Sequence, residues 1–188
     1  LNGSRDGFNG STPPTLRTAD DRIITFGAAG NIGDEQKFQG RARDFLGIDE
    51  ATQFAETQIR FLMGWIRTVH EGQRTRAVFA TNPPLSAVGE WVIGMFRPWL
   101  DLTHPNPAKH GELRWYVTTA DGDMEVDGPE PVVIGRDTLI PTSRTFIPGS
   151  LLDNPFIKTS DYQKQLDALP EPYRSSARDG NFMAARQD

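Results

Sequence analysis

Cysteine is absent from the 188 residues. That excludes disulfides and thiolate metal sites, and it fits a reducing compartment without requiring one. Histidine is scarce: His70, His104 and His110 are scattered along the chain, and their spacing builds no zinc-ligand set. No apolar run approaches the roughly eighteen residues of a membrane span. The first ten residues, LNGSRDGFNG, lack the basic-then-apolar order of a secretory signal, so none is expected there. An excess of positive charge is missing too. The net charge is -5, which excludes a strongly basic nucleic-acid sheath and leaves only a local basic patch for any DNA contact. The phosphate-cradling pattern Gly-x-x-x-x-Gly-Lys-Ser/Thr is also absent.

Hydrophobic residues make up 37% of the chain, enough for a core, and the length suits one domain. The chain starts at Leu1 rather than Met and ends on the polar run ARDGNFMAARQD, as expected of an excised fragment. Residues 1–20, rich in Gly, Ser, Thr, Pro and Asn, read as a flexible arm. Arg22–Gly27 reads as a β-branched strand and Ala28–Gly40 as a Gly-rich polar loop. Arg43–Asp49 follows as a second, buried strand. Glu50–Gly72 predicts a long amphipathic helix, because Phe54, Phe61, Leu62, Trp65, Ile66 and Val69 share one face of a period of about 3.6 residues. Arg74–Thr81 is an apolar strand closed by Asn-Pro-Pro. A helix between two apolar strands is a βαβ unit with parallel strands. Gly89–Leu100 reads as a second helix ending near Pro98, and Glu112–Val126 as a hairpin around an Asp-Gly turn. Ser143–Gly149 is one further strand. Ser160–Leu169 and Glu171–Gly180 are short helices separated by proline.

The unusual stretch is DFLGIDEATQF, Asp44–Phe54, where an apolar strand ends in paired carboxylates. In open parallel sheets, ligands bind beyond the carboxyl ends of the strands. Asp49 and Glu50 end one strand, and Thr81 and Asn82 end the next, so the two polar ends are expected to face one crevice. An apolar strand followed by Asp-Glu is a pattern of many P-loop NTPases: the Asp holds Mg2+, the Glu polarises the attacking water, and a neighbouring Thr or Asn senses the γ-phosphate. The bland alternative is a helix N-terminus whose dipole is answered by two acids. The Gly-rich loop ending in Lys37 does not supply a phosphate cradle, since no Gly-Lys-Ser/Thr follows and it stands too close to the Asp-Glu strand.

The combination resembles the ATPase region of the large subunit of phage terminases, the motors that package DNA into procapsids. KFQGRARDFLGIDEATQF resembles the approach to that family's Walker B motif. RAVFATNPP followed by GEWVIGMFRPWL resembles its coupling motif and the helix after it. SRTFIPGSLLDNPFI, DYQKQLDALPEPYRSSARDGNF and their spacing resemble the stretch that closes the ATPase domain. The resemblance covers about residues 22–183. It implies a partial P-loop NTPase of the RecA-like, additional-strand, catalytic-Glu type, with a mainly parallel sheet flanked by helices plus a β-hairpin. Residues 21–183 would be the C-terminal half of the ATPase domain, lacking the Walker A loop, and 184–188 the start of a linker to a nuclease domain absent from this chain.

Carried over by position, the resemblance makes Glu50 the catalytic carboxylate and Asp49 the Mg2+ ligand, directly or through water. Thr81 and Asn82 become the coupling residues. Relatives carry a trans-acting arginine just before the glycine matching Gly40; here Gln39 stands there, and Arg41 and Arg43 are the remaining candidates. ATP and Mg2+ are the implied cofactors of the complete protein. Double-stranded DNA, the portal, the small terminase subunit and further copies in a ring are the implied partners, at the procapsid portal in the host cytoplasm. A fragment without the Walker A loop is not expected to hydrolyse ATP unaided. Two other classes compete: another P-loop ATPase or helicase fragment, and a non-catalytic assembly module that has lost nucleotide. In this fold class the coupling strand would present an open apolar edge once its Walker A neighbour is missing.

Other features have ordinary readings. Trp65 and Trp91 fall on apolar helix faces and Trp115 in a strand, so packing is favoured over base stacking. Arg60, Arg67, Arg74 and Arg76 read as a solvated face before they read as phosphate contacts. The acidic run DGDMEVDGPE lacks the ligand spacing of a calcium loop and is favoured as a surface hairpin.

Overall fold

The computed structural model describes residues 7–149, 153, 161–171 and 173–183. Among them, the chain is a mixed α/β protein built from several small sheets. No helix among the described residues is long and apolar enough to cross a membrane.

The first elements are strands β1 (Phe8–Asn9), β2 (Thr15–Arg17) and β3 (Ile23–Thr25), which form an antiparallel meander in the order β1-β2-β3. Part of the segment expected as a flexible arm is therefore paired. Short turns permit only antiparallel pairing, so β3 joins β2 and not the parallel strands. The Gly-rich loop that follows carries a 3-10 turn over Asp34–Phe38.

Strands β4 (Phe45–Asp49) and β5 (Arg76–Ala80) are parallel, in register from Phe45 opposite Arg76 to Asp49 opposite Ala80. Leu46 and Ile48 of β4 are buried while Phe45 is 53% exposed, so the strand alternates instead of being covered on both faces. The expected mainly parallel sheet is limited to this pair. Every other sheet among the described residues is antiparallel; the β1-β2-β3, β6-β7 and β8-β9 pairs are joined by connections too short for a crossover.

The helix expected over Glu50–Gly72 is also shorter. It breaks into a 3-10 turn over Ala51–Gln53 and helix α1 (Glu56–Met63), which ends at Gly64. Beyond Gly64 the chain runs beside Arg43: the Arg43 N–H donates to the Trp65 carbonyl at 3.2 Å and the Arg67 N–H to the Arg43 carbonyl at 2.8 Å. Those bonds divert the backbone groups that a longer helix would use internally, and Val69, expected on the apolar face, is 94% exposed. Helix α1 packs through Ile59 and Leu62 onto Leu46, Ile48 and Ala51, with Phe54, Phe79 and Trp91 around them. Ile59 is fully buried, a burial that stabilises by about 2 kcal/mol.

The second expected helix is broken into a 3-10 turn at Ala87–Gly89, helix α2 (Trp91–Met95) and helix α3 (Arg97–Leu100), with the bend at Phe96 and Pro98 in the first turn of α3. Proline is well tolerated there because its missing N–H has no intrahelical partner at that position. Val92 and Ile93 build a second core with Phe182, and Phe146 packs edge-on against Phe182 at 5.5 Å. Trp91 touches both cores.

The expected hairpin is present as β6 (Arg114–Thr119) and β7 (Gly122–Val126), with Gly122 at φ 115 closing the turn. A further hairpin pairs β8 (Val132–Ile134) with β9 (Asp137–Leu139). Strand β10 (Thr142–Arg144) adds antiparallel to β6. Helices α4 (Asp161–Asp167) and α5 (Tyr173–Asp179) pack against each other near the C-terminus. The landmark stretch from Ser150 to Ser160 lies outside the described residues apart from Asp153.

Candidate functional site

The parallel register places Asp49 beside Ala80, so Thr81 and Asn82 leave β5 at the same end at which Asp49 and Glu50 leave β4. Both carboxylates are exposed. Glu50 stands in the left-handed region at φ 50, ψ 49, a conformation that costs an L-residue about 1–2 kcal/mol. Its N–H donates to the Asp49 carboxylate at 3.1 Å, which leaves the second Asp49 oxygen open to solvent or a ligand.

What holds this turn is the pair of residues after it. Ala51 is fully buried and Thr52 is 8% exposed. The Thr52 N–H donates to Thr81 Oγ1 at 3.1 Å, and the two hydroxyl oxygens lie 2.9 Å apart. Thr81 Oγ1 also lies 3.0 Å from the Asn82 carbonyl. The acidic turn and the end of β5 are thus joined directly, through a residue that sequence reasoning did not single out. Gly89 closes the assembly: a Cβ there would sit 2.3 Å from the Thr52 carbonyl oxygen and 2.7 Å from its Cβ. Pro83 and Pro84, both buried, end β5 and fix the path of the chain towards Gly89.

Behind the turn, Gln58 is buried and ties α1 to the Gly-rich loop. Its Oε1 accepts from the Ala55 N–H at 3.1 Å, capping the helix, while Nε2 donates to the Asn31 carbonyl at 2.9 Å and to Glu35 at 3.2 Å. Lys37 pairs with Asp34 within its own loop, and Glu35 accepts from the Gly33 N–H at 2.8 Å. That loop therefore spends these polar groups on itself and on α1.

Of the two candidate arginines, Arg43 is turned into its own chain. It donates to the carbonyls of Phe38 and Arg41 and lies 5.8 Å from the Phe38 ring centre. Burial, and then the neighbouring Arg41 charge, push its pKa below the usual arginine value. The Arg41 side chain is exposed and makes no hydrogen bond or ion pair among the described residues. Of the pair, Arg41 is the one able to reach another molecule.

A charged network links α1 to the β6–β7–β10 sheet. Asp123 receives Arg60 at 3.0 Å, Arg144 at 2.6 Å and the Thr118 hydroxyl at 2.8 Å. Burial alone would raise the Asp123 pKa, but the hydrogen bonds from Arg60, Thr118 and Arg144 outweigh it and hold the carboxyl down to about 2. Arg144 also lies 4.4 Å from the centre of the Tyr116 ring. Burial and then the Glu125 charge push the Tyr116 hydroxyl up to about 12. Arg60, read from the sequence as solvated, is instead a structural tie.

Trp91 and Trp99 pack. Trp91 meets Phe79 edge-on at 5.9 Å and donates its indole N–H to the Phe54 carbonyl at 2.8 Å. Trp99 donates to the Glu112 carbonyl at 3.2 Å. No group of three or more His, Asp or Glu suited to hold a metal ion occurs among the described residues. An apolar trough of 1160 Å³ runs between β3 and β4, over Ile23, Ile24, Phe38, Phe45 and Leu46. It does not include Asp49, Glu50, Thr81 or Asn82, so it is separate from the acidic site. Comparison of the chain with protein-family models, with curated proteins and with solved structures finds no match.

Proposed function

We propose that the chain carries the hydrolytic half of a P-loop ATPase site of the terminase large-subunit type, in which Glu50 acts on water and Asp49 takes part in Mg2+ binding. The observation that carries this reading is the joined strand ends. An Asp-Glu pair at the tip of a parallel strand is hydrogen-bonded through Thr52 to the Thr81 hydroxyl at the tip of its neighbour. Strain at Glu50 adds support, since sparsely populated backbone conformations gather at functional sites.

In this reading the Glu50 carboxylate, held at the solvent face by its left-handed turn, accepts a proton from and orients the attacking water. The residues present fit Mg2+: it is bound at phosphate sites by one or two carboxylates, with waters and phosphate oxygens completing its shell, and Asp49 keeps one carboxylate oxygen free of intramolecular bonds. Bound there with the nucleotide, Mg2+ would neutralise phosphate charge. In this reading the Thr81 hydroxyl would donate to the terminal phosphate, and the exposed Arg41 would be the residue offered to a neighbouring subunit's nucleotide. The RecA-like fold, ATP as substrate and double-stranded DNA as the translocated partner belong to this same proposal.

The reading requires a Gly-Lys-Ser/Thr cradle encoded upstream of Leu1 or supplied by a partner chain. The test is Mg2+-dependent ATP turnover by the complete polypeptide that contains these residues, compared with its Glu50→Gln variant. Turnover in the first and a loss of at least about a hundredfold in the second are expected. Retained turnover in Glu50→Gln overturns the role given to Glu50; no cradle and no turnover at all overturns the ATPase assignment and favours an assembly module.

A further inference from the structure

A threonine hydroxyl has one proton to donate and two lone pairs to accept with. At Thr81 those valences are unevenly used. One lone pair takes the Thr52 N–H at 3.1 Å. The Thr52 hydroxyl lies 2.9 Å away, and the Asn82 carbonyl lies 3.0 Å from Thr81 Oγ1 but 3.4 Å from Thr52 Oγ1. Two proton arrangements satisfy both hydroxyls. In one, Thr52 donates to Thr81 and Thr81 donates to Asn82, using the 2.9 and 3.0 Å contacts. In the other, Thr81 donates to Thr52 and Thr52 reaches the Asn82 carbonyl over 3.4 Å. The first uses the shorter contacts, and hydrogen bonds weaken with distance.

We infer that Thr52 is a positioning residue that holds the Thr81 side chain in the rotamer from which its hydroxyl donates outward, towards an anion at the end of β5. This inference rests on the proposed ATPase reading and deepens it. With both lone pairs of Thr81 Oγ1 filled from Thr52, its proton is the only valence left. In this structure that proton falls to the Asn82 carbonyl, on an exposed residue, from which a phosphate oxygen would draw it, since charged acceptors form the stronger bond. The same Thr52 follows Glu50 by two residues and is buried with Ala51. One side chain thus fixes both the turn that presents the carboxylate and the orientation of the hydroxyl opposite. Gly89 leaves no space for Thr52 to retreat.

The test uses the complete polypeptide and steady-state MgATP hydrolysis. Thr52→Val keeps the shape and the N–H but loses the hydroxyl contact that holds the Thr81 rotamer; Thr52→Ser keeps that contact. Thr52→Val should lower kcat by about tenfold or more, the usual scale for removing a group that orients a contacting residue, with KM within about twofold. Thr52→Ser should restore most of kcat. Thr52→Val combined with Thr81→Val should be no slower than Thr81→Val alone, because the first acts through the second. Thr52→Ala, a second variant without the hydroxyl, carries the same expectation if Thr52→Val fails to fold. Wild-type kcat in a folded hydroxyl-less variant, a Thr52→Ser enzyme as slow as Thr52→Val, or additive losses would each overturn the inference while Glu50-dependent turnover leaves the ATPase reading standing. Absence of wild-type turnover would remove both.

Discussion

Asp123→Asn offers the sharpest check on how helix α1 is held to the β6–β7–β10 sheet. Asp123 is 13% exposed and Arg144 12% exposed, so their pair is largely shielded from water. Asparagine can still accept one hydrogen bond, and Arg60 keeps Glu56 at 2.7 Å. Among the described residues, Arg144 keeps only the Tyr116 ring of its charge-stabilising contacts. Breaking a buried pair costs about 3–5 kcal/mol; the retained contacts put the expected loss at the lower bound, about 3 kcal/mol near neutral pH. The acid limb gives a second number. The folded carboxyl titrates at about 2 against an ordinary 3.8, and every tenfold difference in proton affinity between folded and unfolded chain is worth about 1.4 kcal/mol. A depressed carboxylate contributes stability above its unfolded pKa and loses it as pH falls through its folded pKa. Discounted for residual solvent contact, roughly 2 kcal/mol should vanish between about pH 4 and about pH 2 in the native protein, and not in Asp123→Asn. Urea unfolding followed by tryptophan fluorescence, repeated across that range at constant ionic strength, measures both. A difference under about 1 kcal/mol near neutral pH, or a gap between the two proteins that does not narrow on acidification, would refute the network as a tie.

At position 50, Glu50→Gly should be more stable than Glu50→Ala by about 1 kcal/mol, because only glycine takes the left-handed conformation without penalty; equal urea midpoints would mean the turn is not strained. Gly89→Ala should destabilise by about 1–3 kcal/mol through the clash with the Thr52 backbone, read as a fall in Tm with the far-ultraviolet spectrum retained. Gln58→Ala should cost about 2 kcal/mol and speed proteolysis within residues 28–36, since Gln58 holds that loop through the Asn31 carbonyl and Glu35; unchanged cleavage would show that the loop is held otherwise.

How much of this was legible in the sequence depends on how local the cause was. The order of β4, α1 and β5, their parallel pairing and the hairpin at Asp121-Gly122 follow from apolar patterning and turn chemistry, both local. The convergence of Asp49 with Thr81 and Asn82 follows from parallel pairing alone. The length of α1 was not legible. Hydrophobic period carries on through Trp65 and Ile66, but Arg43 competes for the Trp65 and Arg67 backbone groups from 22 and 24 positions away, and period-counting does not register such competition. The mainly parallel sheet failed for a related reason: β-branched runs identify strands but not partners, and short connections decide those for β1-β2-β3, β6-β7 and β8-β9. Thr52 and Gln58 were invisible because neither is unusual beside its neighbours. What marks them is burial of a polar side chain with its bonds satisfied, a property of the fold rather than of the string.

The acidic pair after an apolar strand looked like an electrostatic anomaly, and its resolution is mechanical. Neither Asp49 nor Glu50 is buried, so no desolvation of charge has to be offset. The cost lies in the backbone at Glu50, about 1–2 kcal/mol. It is met directly downstream: Ala51 is fully buried, Thr52 nearly so, and the Thr52 N–H and hydroxyl both engage Thr81. A net hydrogen bond contributes about 1 kcal/mol, so the two bonds and the burial of two side chains exceed the strain they oppose. The carboxylate is then presented by a turn whose rigidity comes from the adjacent strand. In the proposed reading, a ligand drawing on the Thr81 hydroxyl would act through one threonine, Thr52, on the segment that sets the direction of Glu50.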